Sequence, residues 1–413
     1  QTLHFKGFKC PECGCTYPPT KLFTCDRCGS VLVAEYDYDA VASEISREKL
    51  ERPLPLAERF APLLPLEKPQ EALTLGEGNT PLLKSRKLAE RFKVRFLGFK
   101  DETRNPTWTF KDRAVSVGVN TARELGKTTL ITASTGNAGA SLSAYSARAG
   151  LRCVVLAPEK INPSKLGQIL VYGGKVVRVK GGVDEALSLL KPLHDREGWY
   201  PLPTSAGYNP RQVEGAKTIS YEICVQTGWN PPDWVITPVG GGDCVYGLTK
   251  GFEEFQRLGL ISRVPAMVGV QAEGCAPLVK AFKEGLDKIE TEKSPSTIAS
   301  SIKVAYPPTG DLALKAIRRT KGCAEAVSDG EMLEAQRLLA SSEGIFAEPA
   351  SAAVIAALEK LVESGVIGHD DRVVCIITGT GLKQPELAAK GIQLPEPVEP
   401  EVEKVVEVLG LKA

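Results

Sequence analysis

The segment NPTWTFKDRA, residues 105–114, places Lys111 directly after an aromatic residue, Phe110, and directly before the pair Asp112-Arg113. Most lysines are solvated surface residues, and this position alone would be consistent with such a role. A lysine beside an aromatic side chain and near cationic groups can instead lose its proton and attack a carbonyl carbon to form a Schiff base. Lys111 is therefore a candidate covalent catalyst.

Three polar, glycine-rich loops each follow an apolar run: ASTGNAGAS follows TLIT, PVGGGDCVYG follows WVIT and TGTGLKQPE follows VVCII. In the second loop Gly240, Gly241 and Gly242 precede helix-forming residues, so several backbone N–H groups and the helix dipole can face one anion. The loop matches neither the nucleoside-triphosphate nor the dinucleotide pattern. A Schiff-base lysine combined with a phosphate loop predicts pyridoxal phosphate as the cofactor.

The N-terminal segment KCPECGCTYPPTKLFTCDRCG contains two CxxCG turns, and their cysteines have a spacing typical of a zinc ribbon. A piece of 36 residues is too small to fold on a hydrophobic core alone, which favours a structural zinc over a nucleic-acid-binding role. Cys15 is an additional thiol that could replace a ligand. The predicted ligands of a structural Zn²⁺ are Cys10, Cys13, Cys25 and Cys28.

Charge and composition exclude several classes of partner. Fifty-one Lys and Arg against fifty Asp and Glu give a net charge of +1, which favours neither nucleic acid nor an anionic membrane. No apolar run approaches the length of a membrane span, and the N-terminus lacks a signal-peptide pattern. We therefore expect a cytoplasmic protein, and in that reducing compartment the eleven cysteines are expected to be thiols or metal ligands rather than disulfides. Only three histidines are present, which disfavours a histidine-centred triad.

The elements that must position these residues alternate between strand and helix. The segments KTTLITAS, LRCVVLAP, KVVRVK, DWVITPV, AMVGVQA and RVVCIITG predict buried strands separated by helical stretches. Such alternation indicates an α/β fold with mainly parallel sheets covered by helices. We expect the tail, residues 393–413, to be a proline-rich linker followed by a docking helix.

The segments GEGNTPL, NPTxxFKDR, STGN and TGxGLK resemble those of threonine synthase, a fold-type-II pyridoxal-phosphate enzyme of the tryptophan synthase β superfamily. The cysteine-rich N-terminus resembles that of some members. The resemblance implies two parallel-sheet α/β subdomains with the cofactor between them, plus the ribbon. It also implies a zinc ribbon at 1–36, a large domain at 37–104 and 215–413, a small domain at 105–214, and a homodimer.

The resemblance assigns the cofactor site residue by residue. It makes Lys111 the Schiff-base lysine and Asn137 a hydrogen-bond partner of the 3′ oxygen, and it places Gly240, Gly241, Gly242 and Asp243 around the phosphate. Thr378 would meet the pyridine nitrogen with a neutral hydroxyl. Such a contact leaves the nitrogen largely unprotonated, which favours elimination and replacement over transamination.

The resemblance also implies a small amino-acid substrate. Ser134 and Thr135 would hold its carboxylate at the start of a helix, and Arg211 is the candidate ligand of its phosphate. The implied reaction eliminates phosphate from O-phosphohomoserine and adds water at Cβ to give threonine, with Lys111 as the shuttling base. The chain would then be a lyase of amino-acid biosynthesis.

Several positions depart from the pattern of the family. Trp108 and Thr109 replace Gly-Ser before FKDR, Ala138 replaces a threonine after STGN, and Gln212 stands where an arginine is usual. The loops read GGGD and TGTG instead of GNxGN and TGHG. Loss of an arginine at a phosphate site removes charge-assisted contacts of roughly 1.5–3 kcal/mol each. Either Arg211 or Lys217 reaches the phosphate by a local shift, or the substrate differs.

Two other functions remain open from the sequence. One is β-replacement or β-elimination on phosphoserine, serine or threonine, as in cysteate synthase or an ammonia-lyase. The other is a non-catalytic zinc-ribbon adaptor, against which the intact Lys111, Asn137 and Thr378 argue. Glu348, in AEPASAAV, resembles a superfamily acid near the cofactor, but it is equally consistent with a carboxylate at a helix N-terminus, and we assign it no catalytic role.

Overall fold

The structure, a computed structural model, describes residues 4–390 and 392–410. Strands in this part of the chain are β1 Phe5–Lys9, β2 Thr16–Tyr17, β3 Val33–Tyr36, β4 Leu82–Lys84, β5 Phe96–Asp101, β6 Thr129–Ala133, β7 Arg152–Pro158, β8 Lys175–Val179, β9 Tyr200–Pro201, β10 Trp234–Pro238, β11 Ala266–Ala272, β12 Cys323–Val327 and β13 Arg372–Ile377. They form three sheets.

The helices, in chain order, are α1 Tyr38–Glu44, α2 Arg47–Glu51, α3 Leu56–Arg59, α4 Leu88–Arg91, α5 Lys111–Glu124, α6 Asn137–Ala149, α7 Pro163–Val171, α8 Val183–Ser188, α9 Leu190–Glu197, α10 Thr218–Gln226, α11 Asp243–Arg257, α12 Pro277–Glu284, α13 Gly310–Arg319, α14 Asp329–Glu343, α15 Pro349–Glu363, α16 Pro385–Ala389 and α17 Val402–Val408. Short 3-10 helices cover Ala61–Leu63, Pro69–Glu71, Glu102–Arg104, Gln212–Gly215, Ser300–Ile302 and Gly381–Lys383. None of these helices combines the length and the hydrophobicity that crossing a bilayer requires.

The larger sheet has the strand order β12-β11-β10-β13-β5-β4, and every pairing in it is parallel except that of β4 with β5. Its central strands are apolar on both faces, because helices cover both sides. One face packs α10, α11, α12 and α13 into the largest core, and the other packs α4, α14 and α15. The carboxyl ends of β10 and β13 lead into the second and third glycine loops.

The smaller sheet has the order β8-β7-β6-β9 and is entirely parallel. Helices α5 and α6 pack on one face and α8 and α9 on the other. The first glycine loop follows β6. All strands of the smaller sheet lie between the predicted domain boundaries at 104/105 and 214/215, and all strands of the larger sheet lie outside them. The boundaries themselves stay a prediction.

The N-terminal segment forms a three-stranded antiparallel sheet of order β2-β1-β3, closed by the cysteine turns. Its small core contains Phe5, Phe8, Leu32 and Tyr36 together with two of the cysteines. Gly14 and Gly29, which follow the CxxC pairs, have φ of 74° and 75°, a conformation that a residue with a side chain rarely adopts. The predicted ribbon is thus present in the described residues 4–36.

All six predicted strands are confirmed as β6, β7, β8, β10, β11 and β13. The prediction of a docking helix in the tail is wrong in one respect. A helix does form at Val402–Val408, but each of its residues is exposed, so it docks on no described part of the chain. Residues 411–413 of the predicted tail lie outside the described residues.

Candidate active site

Lys111 is the first residue of α5, at the carboxyl-end edge of the sheets. Burial lowers the pKa of its amine below the ordinary value, because an ammonium ion loses its hydration there. The positive end of the helix dipole acts in the same direction. The amine lies 4.8 Å from the centre of the Phe110 ring. Since the backbone N–H of Phe110 donates to the carbonyl oxygen of Thr378 at 3.0 Å, the first turn of α5 is held against the third glycine loop.

The Gly240–Gly242 loop ends at the N-terminus of α11, as the phosphate hypothesis requires. A Cβ at Gly240 would lie 2.7 Å from the carbonyl oxygen of Ser301, and one at Gly242 would lie 2.9 Å from the backbone of Thr309. Gly242 also has φ of 95°. These positions need glycine because the backbone approaches its neighbours too closely for a side chain.

Asp243 follows this loop and contacts two other segments. Its Oδ1 accepts from the backbone N–H of Ala206 at 2.8 Å and from the hydroxyl of Thr309 at 2.7 Å. Burial raises the pKa of this carboxyl from 3.8 to about 6. An ionised carboxylate would repel a phosphate, so the contacts favour Asp243 as a clamp between loops, with its backbone N–H facing the anion.

The first glycine loop precedes α6, and Asn137 is the first residue of that helix. The Ser134 hydroxyl oxygen accepts from the backbone N–H groups of Gly136 and Gly139, both at 2.9 Å, which leaves the hydroxyl proton available to a ligand. Asn137 Nδ2 donates to Glu348 Oε1 at 2.8 Å, whereas the buried Oδ1 has no hydrogen-bond partner among the described residues. A buried, unpartnered amide oxygen is costly unless a ligand satisfies it.

A buried ionic network lies beside Asn137. Lys165 Nζ donates to Glu348 Oε2 at 3.1 Å and to the hydroxyls of Ser300 and Ser301, both at 2.9 Å. The Lys165 side chain passes beneath the first glycine loop, where a Cβ at Gly136 would lie 2.5 Å from its Cδ. Sequence reasoning missed Lys165 and Ser301, and it gave Glu348 no role. Only the AEPASAAV motif pointed to this carboxylate.

Thr378 follows β13, and its hydroxyl lies 2.6 Å from the hydroxyl of Ser351 on α15. Lys383, in the same loop, is buried, and burial lowers the pKa of its amine to about 8. Its Nζ donates to the side chain of Gln168. The end of β13 therefore offers neutral hydroxyls, and no carboxylate hydrogen-bonds to Thr378 within the described residues.

One cavity collects most of the predicted site. Its lining includes Lys111, Ser134, Thr135, Asn137, Gly241 and Asp243. The flanking Gly240 and Gly242 belong to the same loop, and Thr378 contacts Phe110 next to the lysine. Trp108 does not add its ring to this cavity, since its side chain is exposed and lies outside the lining. The aromatic ring near the lysine is that of Phe110.

Arg211 lies apart from the cavity, contrary to expectation. Its Nε donates to the carbonyl oxygen of Pro65 at 2.8 Å, and its guanidinium carbon lies 5.3 Å from the centre of the Phe5 ring in the ribbon. Lys217 is buried and paired with Glu214 and Glu254. A shift of one position along the chain turns the side chain away from the cavity, so the structure does not support Arg211 or Lys217 as phosphate ligands.

The Asp112-Arg113 pair has a structural role. Arg113 is fully buried and donates to Glu102 and Glu222, with the shortest contacts at 2.7 Å. Asp112 accepts from the backbone N–H of Thr107 at 2.7 Å and from its hydroxyl. A buried charge such as that of Arg113 is stable only when it is paired. The contacts of both residues fix the start of α5, where Lys111 lies.

The four predicted zinc ligands also come together. The sulfur atoms of Cys10, Cys13, Cys25 and Cys28 all lie within 4.8 Å of one another. The eleven cysteines, all within the described residues, are free thiols. A four-sulfur set of this size suits a tetrahedral divalent metal such as zinc.

Comparison with known proteins decides the family. The pyridoxal-phosphate dependent enzyme family matches residues 73–379. A threonine synthase of Methanocaldococcus jannaschii is 43% identical over 97% of this chain and 98% of its own length. The chain belongs to the threonine synthase family of pyridoxal-phosphate-dependent enzymes. A family member from Methanosarcina acetivorans is also 43% identical, over 98% of this chain and 99% of its own.

Solved structures share the fold of this threonine synthase family member. Maize serine racemase aligns with a TM-score of 0.65 and 20% identity, covering 76% of this chain and 91% of its own. A threonine deaminase from Solanum lycopersicum aligns with a TM-score of 0.64 and 22% identity, covering 81% and 89%. The fold is therefore that of a fold-type-II pyridoxal-phosphate enzyme, as expected from the sequence.

The residues present fit the cofactor of the family. A buried amine of lowered pKa suits the aldehyde of the cofactor, and the glycine triplet suits its phosphate. The unpartnered amide oxygen of Asn137 can accept a hydrogen bond from a donor group of a bound ligand. The chain is an enzyme of the lyase type, as its family indicates.

Proposed function

We propose that this chain converts O-phosphohomoserine and water to threonine and phosphate with pyridoxal phosphate as its cofactor. The observation that carries the proposal is the 43% identity with a threonine synthase along 97% of this chain. Among the alternative activities, those on serine or threonine are found in similar solved structures that are no more than 23% identical, and such a likeness shows a shared fold alone.

The cofactor-holding residues are proposed from their placement. Lys111 would bind the aldehyde carbon, the backbone N–H groups of Gly240–Gly242 and Asp243 would bind the phosphate, and Asn137 would bind at the 3′ oxygen. Thr378 would face the ring nitrogen with a hydroxyl. When bound, the cofactor withdraws electrons from the substrate at Cα and so makes the protons on Cα and Cβ more acidic.

Lys111 Nζ is the base that this chain provides. Burial lowers its pKa and so favours the neutral amine, which is the form that can take a proton. We propose that it takes the Cα proton, passes that proton on to solvent, and then takes the Cβ proton, after which phosphate leaves Cγ. Protons return to Cγ and Cα, the hydroxyl of water adds at Cβ, and the remaining proton of water leaves on the phosphate as hydrogen phosphate. No histidine lies among the lining residues, so one amine serves each transfer.

The substrate carboxylate would bind at the N-terminus of α6. The hydroxyl of Ser134 and the side chain of Thr135 face the cavity, and the helix dipole favours an anion there. Ala138, where the family has a threonine, offers no hydroxyl to the substrate phosphate. The proposal therefore places carboxylate recognition, and not phosphate recognition, on the first glycine loop.

A panel of substrates tests this function. The purified protein with pyridoxal phosphate is incubated with O-phosphohomoserine, O-phosphoserine, serine or threonine, while phosphate, ammonia and amino-acid products are measured. We expect equal amounts of phosphate and threonine from O-phosphohomoserine, and no turnover of the other three compounds. Ammonia from serine or threonine, without threonine from O-phosphohomoserine, would refute the proposal and favour an ammonia-lyase.

We further propose that the four cysteines bind one structural Zn²⁺, which the ribbon needs because its own core is small. Metal analysis of the purified protein should find one zinc per chain. The cytoplasmic location and the homodimer implied by the resemblance stay predictions.

A further inference from the structure

One segment of the chain joins the active-site cavity to the ribbon. Thr204 and Ser205 line the cavity, and the backbone N–H of Ala206 donates to Asp243, next to the glycine triplet. The segment then continues away from the cavity to Gly215, the end of a 3-10 helix. We call residues 204–215 the connecting segment. The position of its first residues sets the shape of one cavity wall.

The loop between the two cysteine pairs of the ribbon holds the middle of the connecting segment. The backbone N–H of Phe23 donates to the carbonyl oxygen of Tyr208 at 2.9 Å, and the two rings lie 6.3 Å apart in an edge-to-face arrangement. Phe23 stands two positions before Cys25, a predicted metal ligand. The Phe23 backbone has φ of 62°, which is uncommon for a non-glycine residue and is maintained by its surroundings.

The ribbon sheet holds the far end of the same segment. Tyr36 donates its hydroxyl to Glu214 Oε2 at 2.8 Å. Lys250 donates to Glu214 at 2.8 Å and to the backbone carbonyl of Ala34 at 2.9 Å. Lys217, which also pairs with Glu214, lies 4.2 Å from the centre of the Tyr36 ring. These groups are buried, so their charges and hydrogen bonds fix the geometry of the contact closely.

A cavity of about 780 Å³ lies between the ribbon and the catalytic body. Phe23 and Val31 line it from the ribbon, and Tyr208 lines it from the connecting segment. Leu187 and Pro308 line both this cavity and the active-site cavity, so the two are neighbours. The ribbon is thus one wall of a cavity that adjoins the active-site cavity.

We propose that the metal-bound ribbon positions the connecting segment and thereby sets the affinity of the active site for its substrate. Phe23 and Tyr36 are positioning residues in this proposal, because they act through Tyr208 and Glu214. The proposal rests on the proposed function and on the proposed zinc site. The alternative is that the metal only stabilises the ribbon. In that case loosening the ribbon would leave residues 204–206 unchanged, whereas the present proposal requires them to move.

Two variants and a matched control test the proposal on the full-length enzyme with its cofactor and metal. Phe23→Ala removes the ring against Tyr208, and Tyr36→Phe removes only the hydroxyl that binds Glu214. Leu22→Ala is the control, because Leu22 is also a partly buried ribbon residue but packs on the core of the smaller sheet. Each is compared with wild type by hydrogen exchange of backbone amides and by steady-state kinetics.

We expect Phe23→Ala to speed exchange in residues 204–215 and to raise KM by about tenfold with kcat nearly unchanged. Tyr36→Phe should produce the same pattern more weakly, and Leu22→Ala should leave both readouts at wild-type values. Zinc removal by a chelator should speed exchange in the same peptide. The exchange measurement uses no substrate, so it tests the positioning of residues 204–215 even if O-phosphohomoserine is not converted.

The proposal is overturned if exchange in residues 204–215 stays at the wild-type rate in both variants and after zinc removal. Faster exchange throughout both sheets would overturn it too, since that outcome indicates general destabilisation. Equal effects of Leu22→Ala and Phe23→Ala on KM would show that any loosening of the ribbon suffices, which also contradicts a specific contact.

Discussion

Replacement of Asp243 by asparagine should stabilise the protein in a pH-dependent manner. Burial raises the pKa of this carboxyl from 3.8 to about 6, so the folded state resists its ionisation. At 1.36 kcal/mol per pKa unit, the ionised carboxylate costs about 3 kcal/mol of folding free energy above pH 7. The asparagine side chain carries no charge, and its amide oxygen can still accept from the N–H of Ala206 and the hydroxyl of Thr309.

The sign of the effect follows from the raised pKa. The pKa of the Asp243 carboxyl is higher in the folded state than in the unfolded state, so ionisation of this group destabilises the folded wild type. This destabilisation is complete above the folded-state pKa and disappears as the pH falls below the unfolded-state pKa. Asp243→Asn should therefore exceed wild type by about 3 kcal/mol at pH 8 and by about 1 kcal/mol at pH 4.5. The free energy of unfolding is measured by urea denaturation of cofactor-free protein at both pH values.

The control is Asp243→Ala, which removes the acceptor as well as the charge. It leaves a buried N–H and a buried hydroxyl without their partner, which costs about 1–3 kcal/mol relative to Asp243→Asn at every pH. A stability difference between wild type and Asp243→Asn that does not change with pH would refute the reasoning, because it would show that the carboxyl is not buried as an acid of raised pKa.

Three further outcomes are expected. Lys111→Ala should abolish the visible absorbance of lysine-bound cofactor and its fixation by borohydride, and should lower kcat by about 10³-fold; fixation at another lysine would contradict the assignment. Glu348→Gln leaves Lys165 without its carboxylate and should cost about 3–5 kcal/mol in denaturant unfolding, most of which Lys165→Met in the same chain should restore; an unchanged stability would contradict the pairing. Gly242→Ala places a Cβ 2.9 Å from the backbone of Thr309 at a φ of 95°, and it should weaken cofactor binding in equilibrium titration by about 1–3 kcal/mol, whereas wild-type affinity would exclude the cradle.

The glycine loops and Lys111 were predictable because their signals are local. An apolar strand that ends in a polar, glycine-rich turn indicates an edge where ligands bind. The first two of these turns contribute lining residues to the cavity, whereas the third does not. The cysteine turns were equally local, since spacing and a following glycine suffice to predict a metal-binding turn.

Other features depend on distant partners and left no readable pattern. Strand β5 ends in Lys100 and Asp101, and the lysine is buried only because Glu222, on α10, neutralises it at 2.7 Å. Lys165 resembles a surface lysine in sequence, yet a carboxylate 183 positions later holds it inside. Arg211 shows the opposite error, because a one-residue offset within a matched motif moved its side chain to the ribbon.

The two ends of the predicted cofactor site belong to different sheets. Lys111 begins a helix that packs on the smaller sheet, whereas Gly240–Gly242 connect the larger sheet to α11. A ligand held at both points is a crosslink between the halves of the molecule, covalent at one end and electrostatic at the other. Saturation with cofactor should therefore raise the melting temperature of the protein, and reduction of the covalent link to a permanent bond should preserve that increase after dialysis.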